Sequence, residues 1–122
     1  MKLSVIIPAY RAEATLPRTL RSLEAAAAGL DVETVLVRDD EGRGLPWARN
    51  RGLERATGDA VFFVDADDTV RPGFFRRLSG LLESSGADFV LSSFDYSPLK
   101  RAWGRPFRSA QAISATPIPR CP

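Results

Sequence analysis

The chain has 122 residues, of which 44% are hydrophobic and 26% charged, a composition typical of one globular domain and too short for two. Its net charge of +2 conceals an asymmetry, because residues 98–122 hold five basic residues and no acid, whereas residues 1–97 hold 12 basic and 15 acidic residues. The charge therefore gives no indication of nucleic-acid binding by the first 97 residues. His is absent and Cys121 is single, which excludes His-based triads and an internal disulfide and limits metal ligands to oxygen or Cys121.

The first half of the chain predicts two strands joined by a helix. Residues 3–7 form a continuous apolar run that favours a strand buried on both faces. Apolar residues then recur at helical spacing between Thr15, the expected N-cap, and Gly29. Residues 32–37 predict a second strand, which runs into the acid pair Asp39-Asp40. Parallel strands connected by a helix are implied.

The second half continues the alternation. The pattern predicts a helix from Pro46 to about Thr57, a buried strand at 60–64, a helix from Pro72 to Gly86 and a fourth strand at 88–91. The residues of the first of these helices that are expected to face the core are Ala48, Leu53 and Ala56. The βαβαβαβ order predicts an α/β fold with a parallel, Rossmann-like sheet and helices on both faces. Ligands of such folds bind beyond the carboxyl ends of the strands.

Three carboxylates follow the predicted strand at 60–64 directly: Asp65, Asp67 and Asp68. Unpaired carboxylates repel one another and are costly to desolvate, so the cluster requires solvent, basic partners or a divalent cation. An Asp-rich turn that caps the next helix explains the same residues without a ligand. Both interpretations stay open on these residues alone.

Four segments occur in an order that resembles the family 2 glycosyltransferases of GT-A fold. They are Ser4-Val5-Ile6-Ile7-Pro8-Ala9-Tyr10, Asp39-Asp40, Ala48-Arg49-Asn50-Arg51-Gly52 and Val64-Asp65-Ala66-Asp67-Asp68. Each is weak alone, but the four together are specific, and the resemblance covers residues 2–96. It implies a shortened GT-A fold that binds a nucleotide-diphosphate sugar, with a UDP-sugar as the expected donor, and inverting transfer of the sugar to an acceptor.

The resemblance also implies the site residues. The positions that it assigns to the nucleotide are Pro8, Ala9 and Tyr10 for the nucleoside pocket, Asp40 for the base and Asp65 for the ribose. Asp67, with Asp65, would hold Mg²⁺ or Mn²⁺ on the diphosphate, where the metal neutralises the charge that builds up as the sugar–phosphate bond breaks.

Other residues near the predicted site have two interpretations each. Arg49 and Arg51 suit either phosphate contact or salt bridges to nearby acids. Tyr10 suits either the nucleoside or a half-buried loop, and Asp39 suits a helix or turn cap.

The sequence departs from the family pattern in two places. Only residues 41–47 separate the acid pair from the Ala48 segment, with Glu41-Gly42 in place of the usual Gly-Ser, so part of the nucleotide-binding wall is expected to be missing or rebuilt. The carboxylate that serves the family as catalytic base has no match, so the catalytic residue is unidentified and the chain by itself is predicted to be a poor catalyst. The alternative function is a non-catalytic nucleotide-sugar or partner-binding module. A phosphoacceptor signalling domain fits worse, because no acid pair follows the first strand.

Domain and location predictions follow from composition. Residues 1–97 are expected to form the nucleotide-sugar-binding domain and residues 98–122, with five of the nine prolines, a loosely ordered basic tail. The tail suits either solvated disorder or contact with an anionic surface such as the inner face of a membrane. Without a leader or an apolar run near 18 residues, a cytoplasmic location and no transmembrane segment are expected. Apolar surface near Phe89 favours self-association into a homo-oligomer.

Overall fold

The described part of the chain alternates strands and helices. A computed structural model describes residues 1–90 and residue 92. Its elements are β1 (Leu3–Ala9), α1 (Leu16–Ala27), β2 (Val32–Arg38), α2 (Leu45–Arg55), β3 (Ala60–Phe63) and α3 (Phe74–Ser85). Residues 1–79 form one compact unit that contains the sheet, and a second unit begins at Gly80. None of the helices in the described part is long and apolar enough to cross a membrane.

The three strands form one parallel sheet in the order β2-β1-β3. In this register Ile6 of β1 lies opposite Val35 on one side and Phe63 on the other. All seven residues of β1 are buried, as expected for a central strand covered on both faces. The predicted α/β fold with a parallel sheet is confirmed.

Helices cover both faces of the sheet. On one face, α2 packs so closely that the backbone of Gly52 meets the side chain of Ile6. The other face carries Phe62, whose ring lies 6.1 Å from that of Phe75 in α3, edge to face. Since β1–α1–β2 and β2–α2–β3 run in opposite directions across the sheet, right-handed crossovers place α1 and α2 on opposite faces.

The close approach of α2 depends on a glycine. A Cβ atom built on Gly52 would lie 2.2 Å from Cγ2 of Ile6, a distance that real Cβ atoms do not show. Gly52 and Ala48, one helical turn apart, are both buried, so they define the inner face of α2. The expectation that Leu53 faces the core was wrong, because it lies about 100° round the helix from Gly52 and is 46% exposed.

Two predictions about strands need correction. β3 has only four residues, and Val61 and Phe63 are each 38% exposed, so it is not the fully buried strand that its apolar run indicated. Residues 88–90 do not form the predicted fourth strand, and Phe89 is 44% exposed. An apolar run supplies side chains for burial, but it does not specify a backbone partner. Leu91 and the predicted tail lie outside the described residues.

A polar network joins the amino ends of the strands, opposite the candidate site. The carboxylate of Glu33 accepts hydrogen bonds from the hydroxyl of Ser4 (2.5 Å) and from the amide and hydroxyl of Thr57 (2.5 and 2.9 Å). Lys2 lies 3.4 Å away, and the Ser4 hydroxyl in turn accepts from the amide of Gly58. The Ser4 hydroxyl, the Thr57 groups and Lys2 together lower the pKa of Glu33 from its ordinary value of 4.5 to about 2.

This network predicts a pH-dependent stability. Because the pKa of Glu33 is lower in the folded than in the unfolded chain, its contribution is complete above about pH 4.5 and is lost as the pH falls toward 2. We expect the urea midpoint of the unchanged chain to fall across this range, and Glu33→Gln to flatten that fall. Urea titrations at stepwise pH measure this. Glu24→Gln, on the exposed face of α1, is the control. Equal pH profiles for all three proteins would contradict the prediction.

Candidate functional site

An open cavity of about 200 Å³ lies at the carboxyl ends of β1 and β2. The residues that line it are Pro8, Ala9, Tyr10, Asp39, Gly42, Gly44, Leu45 and Ala48. Pro8, Ala9 and Tyr10, the three residues predicted for the nucleoside pocket, all line this cavity. Asp40, predicted to face the base, is exposed and is not among the lining residues.

Asp39 organises the turn beside this cavity. It is 4% exposed, and its two carboxylate oxygens accept hydrogen bonds from the backbone amides of Arg43 (2.7 Å) and Gly44 (2.8 Å). Burial opposes the charged form, but these amides, that of Gly42 and the Arg43 guanidinium outweigh it, so the pKa of Asp39 lies below its usual value. Asp39 is therefore a turn cap, one of the interpretations of the sequence, and it also lines the cavity.

The short segment after Asp39 forms a wall of the cavity. The guanidinium of Arg43 lies 5.0 Å from the ring of Trp47, and it also pairs with Glu41 at 2.9 Å. Gly42 has a φ of 70°, and a side chain there would also approach the hydroxyl of Tyr10 at 3.4 Å. Only glycine accepts both conditions easily. The shortened segment therefore forms a turn that closes one side of the cavity, and the expectation that part of the family's nucleotide-binding wall is missing or rebuilt stays a prediction.

The three carboxylates predicted from the sequence do converge. One oxygen from each of Asp65, Asp67 and Asp68 lies within 4.8 Å of the others. Asp65 and Asp67 are exposed, whereas Asp68 is partly buried, and burial together with the charges of Asp67 and Asp65 raises the pKa of Asp68. Mg²⁺ and Mn²⁺ prefer oxygen ligands, and a site that uses one or two carboxylates plus substrate phosphates suits them. This donor set fits the divalent metal that the fold family implies.

Hydroxyl groups of α1 hold residues 65–68, the acidic loop, in place. The hydroxyl of Thr19, fully buried, lies within hydrogen-bond distance of the backbone carbonyls of Asp68 (2.7 Å) and Ala66 (2.9 Å), which share its single proton, and Thr15 donates to the carbonyl of Ala66 at 2.9 Å. Ser22 accepts a hydrogen bond from the backbone amide two residues beyond Asp68. Thr15 occupies the N-cap position predicted for it, but its side chain makes no capping hydrogen bond and anchors the acidic loop instead, a role that the sequence did not predict. The signal in the sequence was Thr19, a polar residue on the buried, otherwise apolar face of α1, where a hydroxyl needs a hydrogen-bond partner.

Arg49 lies beside the acidic loop. Its Nη2 atom is 3.8 Å from Oδ1 of Asp65, and its guanidinium lies 5.7 Å from the centre of the Phe63 ring. Its Nε atom is buried and has no hydrogen-bond partner among the residues that the structure describes. Arg51 instead pairs with Glu54 at 2.8 Å on the exposed side of α2. Salt bridging, one of the two interpretations for these arginines, is present in both cases.

The comparisons with known proteins agree with this geometry. The family model described as "Glycosyl transferase family 2" matches residues 35–117, which is more than half of the chain and includes the turn at Asp39, α2 and the acidic loop. The chain belongs to glycosyltransferase family 2. The match includes three of the four segments that carry the resemblance, and the first, at Ser4–Tyr10, lies before it.

Two proteins of known name illustrate the relationship. The succinoglycan biosynthesis protein ExoO of Rhizobium meliloti is 29% identical over an alignment that covers 87% of this chain and 37% of ExoO. The crystal structure of S. aureus TarS superposes with a TM-score of 0.64 at 28% identity, over 75% of this chain and 21% of that chain. A further structure, TarS 1-349 in complex with UDP, has a TM-score of 0.60 at 24% identity, over 75% of this chain and 35% of that one. The parallel sheet is therefore a GT-A fold, and this chain spans about a third of the length of the curated relatives it matches.

Proposed function

We propose that this chain carries the donor-binding part of a glycosyltransferase, which binds a nucleotide-diphosphate sugar together with Mg²⁺ or Mn²⁺. The observation that carries the proposal is the adjacency of cavity and acidic loop. Ala48 lines the cavity, and the next residue of α2, Arg49, reaches Asp65 at 3.8 Å. A ligand with an apolar ring at one end and phosphates next to it matches a mostly apolar cavity beside a cationic side chain and three carboxylates.

UDP is the nucleotide that the comparison favours. The TarS fragment of the same fold was crystallised with UDP, and a further crystal of it contains UDP-GlcNAc. In the proposed complex the base occupies the cavity next to Pro8, Ala9 and Tyr10. Asp65 is proposed for the ribose, and Asp40, which is exposed, for the edge of the base.

The chemistry proposed for this site is stabilisation of the leaving group. Asp67 and Asp65 would hold the divalent metal, which supplies positive charge where the departing diphosphate gains negative charge. Arg49 adds a second cation from the α2 side.

Inverting transfer, the acceptor and the sugar are proposals for the whole protein, since this chain spans about a third of the length of its relatives. The cytoplasmic location, the membrane contact of residues 98–122 and self-association stay predictions.

Calorimetric titration of the 122-residue chain with UDP tests the proposed function. We expect UDP to bind in MnCl₂ at least about tenfold more tightly than in chelator, because a divalent cation held by Asp65 and Asp67 would offset the repulsion between these carboxylates and the diphosphate. Uridine, which has no phosphate, should bind weakly and independently of metal. Titrations with other nucleoside diphosphates then rank the bases. Equal UDP affinity with and without Mn²⁺, or no binding of any nucleoside diphosphate, would overturn the proposal.

A further inference from the structure

Arg49 has no close hydrogen bond to its carboxylate neighbour, and its side chain is 42% exposed, so a ligand can reach the guanidinium. The 3.8 Å between its Nη2 and Oδ1 of Asp65 exceeds hydrogen-bond distance, so the contact is a loose ion pair. The buried Nε–H has no acceptor within the described part of the chain. The Phe63 ring, 5.7 Å below the guanidinium, orients it through an attraction that needs no acceptor. A buried donor without a partner is unfavourable, so this arrangement favours the arrival of an anion.

The position of Arg49 also affects the acidic loop. Asp65 belongs to the group of three carboxylates, whose oxygens lie within 4.8 Å of one another. Arg49 therefore offsets part of the negative charge that would attract a divalent cation. Arg49 and the cation compete for the same carboxylate as long as no other anion is present. A diphosphate beside Asp65 would offer Arg49 the acceptor oxygens that it lacks and would end the competition.

We infer that Arg49 couples metal binding to diphosphate binding, by pairing with Asp65 when the nucleotide is absent and with the diphosphate when it is bound. The inference rests on the proposed function and adds a coupling between its two ligands, the metal and the diphosphate. The metal alone binds to a site whose charge is partly compensated, and the diphosphate removes that compensation. Because such coupling is reciprocal, the metal strengthens diphosphate binding by the same factor.

The same helix provides a matched control. Arg51 carries the same charge two residues further along α2 and is similarly exposed (48% against 42% for Arg49), but it pairs with Glu54 at 2.8 Å instead of with Asp65. Arg49→Gln and Arg51→Gln remove one positive charge each from α2. A difference between the two variants therefore reports the contact with Asp65 rather than the net charge of the protein.

The experiment measures three affinities of each protein at low ionic strength: MnCl₂ alone, UDP in saturating MnCl₂, and uridine. For Arg49→Gln we expect MnCl₂ alone to bind about two- to fivefold more tightly, the range that an exposed ion pair allows. UDP should bind about tenfold more weakly, because the variant lacks the charged guanidinium that donates hydrogen bonds to the diphosphate. Uridine binding should not change. Arg51→Gln should match the unchanged chain in all three.

Opposite signs for metal and UDP distinguish coupling from a structural defect. A variant with a damaged site would lose affinity for both, and near-ultraviolet circular dichroism checks that the fold is intact. Equal or weaker MnCl₂ binding by Arg49→Gln, or a loss of uridine affinity, would overturn the inference and leave the proposed function standing if the unchanged chain binds UDP with Mn²⁺. If the unchanged chain does not bind UDP in the presence of Mn²⁺, the proposed function and this inference both fail.

Discussion

Asp67→Asn is expected to reduce the affinity for UDP in the presence of Mn²⁺ by at least about 10- to 100-fold, the loss that even outer-shell partners of metals commonly cause. The carboxamide keeps the shape of the side chain but removes the negative charge and one metal-binding oxygen. The fold should be unaffected, because Asp67 is exposed and belongs to a group of three carboxylates that repel one another. Without metal, the thermal midpoint of the variant should equal or exceed that of the unchanged chain.

The control for this experiment is Asp31→Asn. Asp31 is exposed, lies just before β2 at the amino edge of the sheet, and carries the same charge. It should leave Mn²⁺-dependent UDP binding unchanged. If Asp67→Asn binds UDP as tightly as Asp31→Asn does, Asp67 does not hold the metal.

Gly52→Ala is expected to lower the free energy of unfolding by about 1–3 kcal/mol, the usual cost of an added methyl in a tightly packed interior. The added carbon would lie 2.2 Å from Cγ2 of Ile6 and 3.2 Å from its Cδ1 atom, so α2 must move away from β1. This shift would carry Ala48 and Arg49 with it, so UDP binding should weaken as well. Urea denaturation and UDP titration of the same variant measure the two effects.

Gly80→Ala is the matched control, because Gly80 lies inside α3 and a Cβ there would have no atom within 4 Å. There the same substitution should stabilise the protein by about 0.5–1 kcal/mol, since alanine favours helices over glycine. Ile6 is fully buried, so Ile6→Ala is itself destabilising, but in an Ile6→Ala background Gly52→Ala should cost less than in the unchanged chain, because the clashing atoms are absent. If Gly52→Ala is as stable as Gly80→Ala, α2 does not pack on β1 as closely as described above.

The sequence predicted the architecture well where periodic patterns determine it. The run at 3–7 and the helical spacing of Leu16 and Leu23 identified β1 and α1, because burial on a strand or helix requires these repeats. The fourth strand was predicted from the same kind of apolar run and is not formed at 88–90. Strand formation depends on a hydrogen-bonded neighbour, which a local pattern does not identify.

The candidate site was predicted unevenly for a similar reason. The convergence of Asp65, Asp67 and Asp68 follows from their closeness in sequence, and the structure shows it. The cap predicted for Asp39 is present, but the turn that it closes uses backbone amides four and five positions later, which the sequence did not identify. The contact between Arg49 and Asp65 joins residues far apart in the chain, and no sequence spacing predicts it.

The hydroxyl anchors of α1 have a consequence for protein engineering. The backbone carbonyls of Ala66 and Asp68 accept hydrogen bonds from the hydroxyl groups of Thr15 and Thr19, which precede them by about 50 positions. A chimera that transplants the acidic loop into another scaffold without α1 would leave these carbonyls without donors, and the carboxylates would lose their spacing. The smallest portable unit of this site is therefore discontinuous: the loop together with the helix that precedes it by two strands.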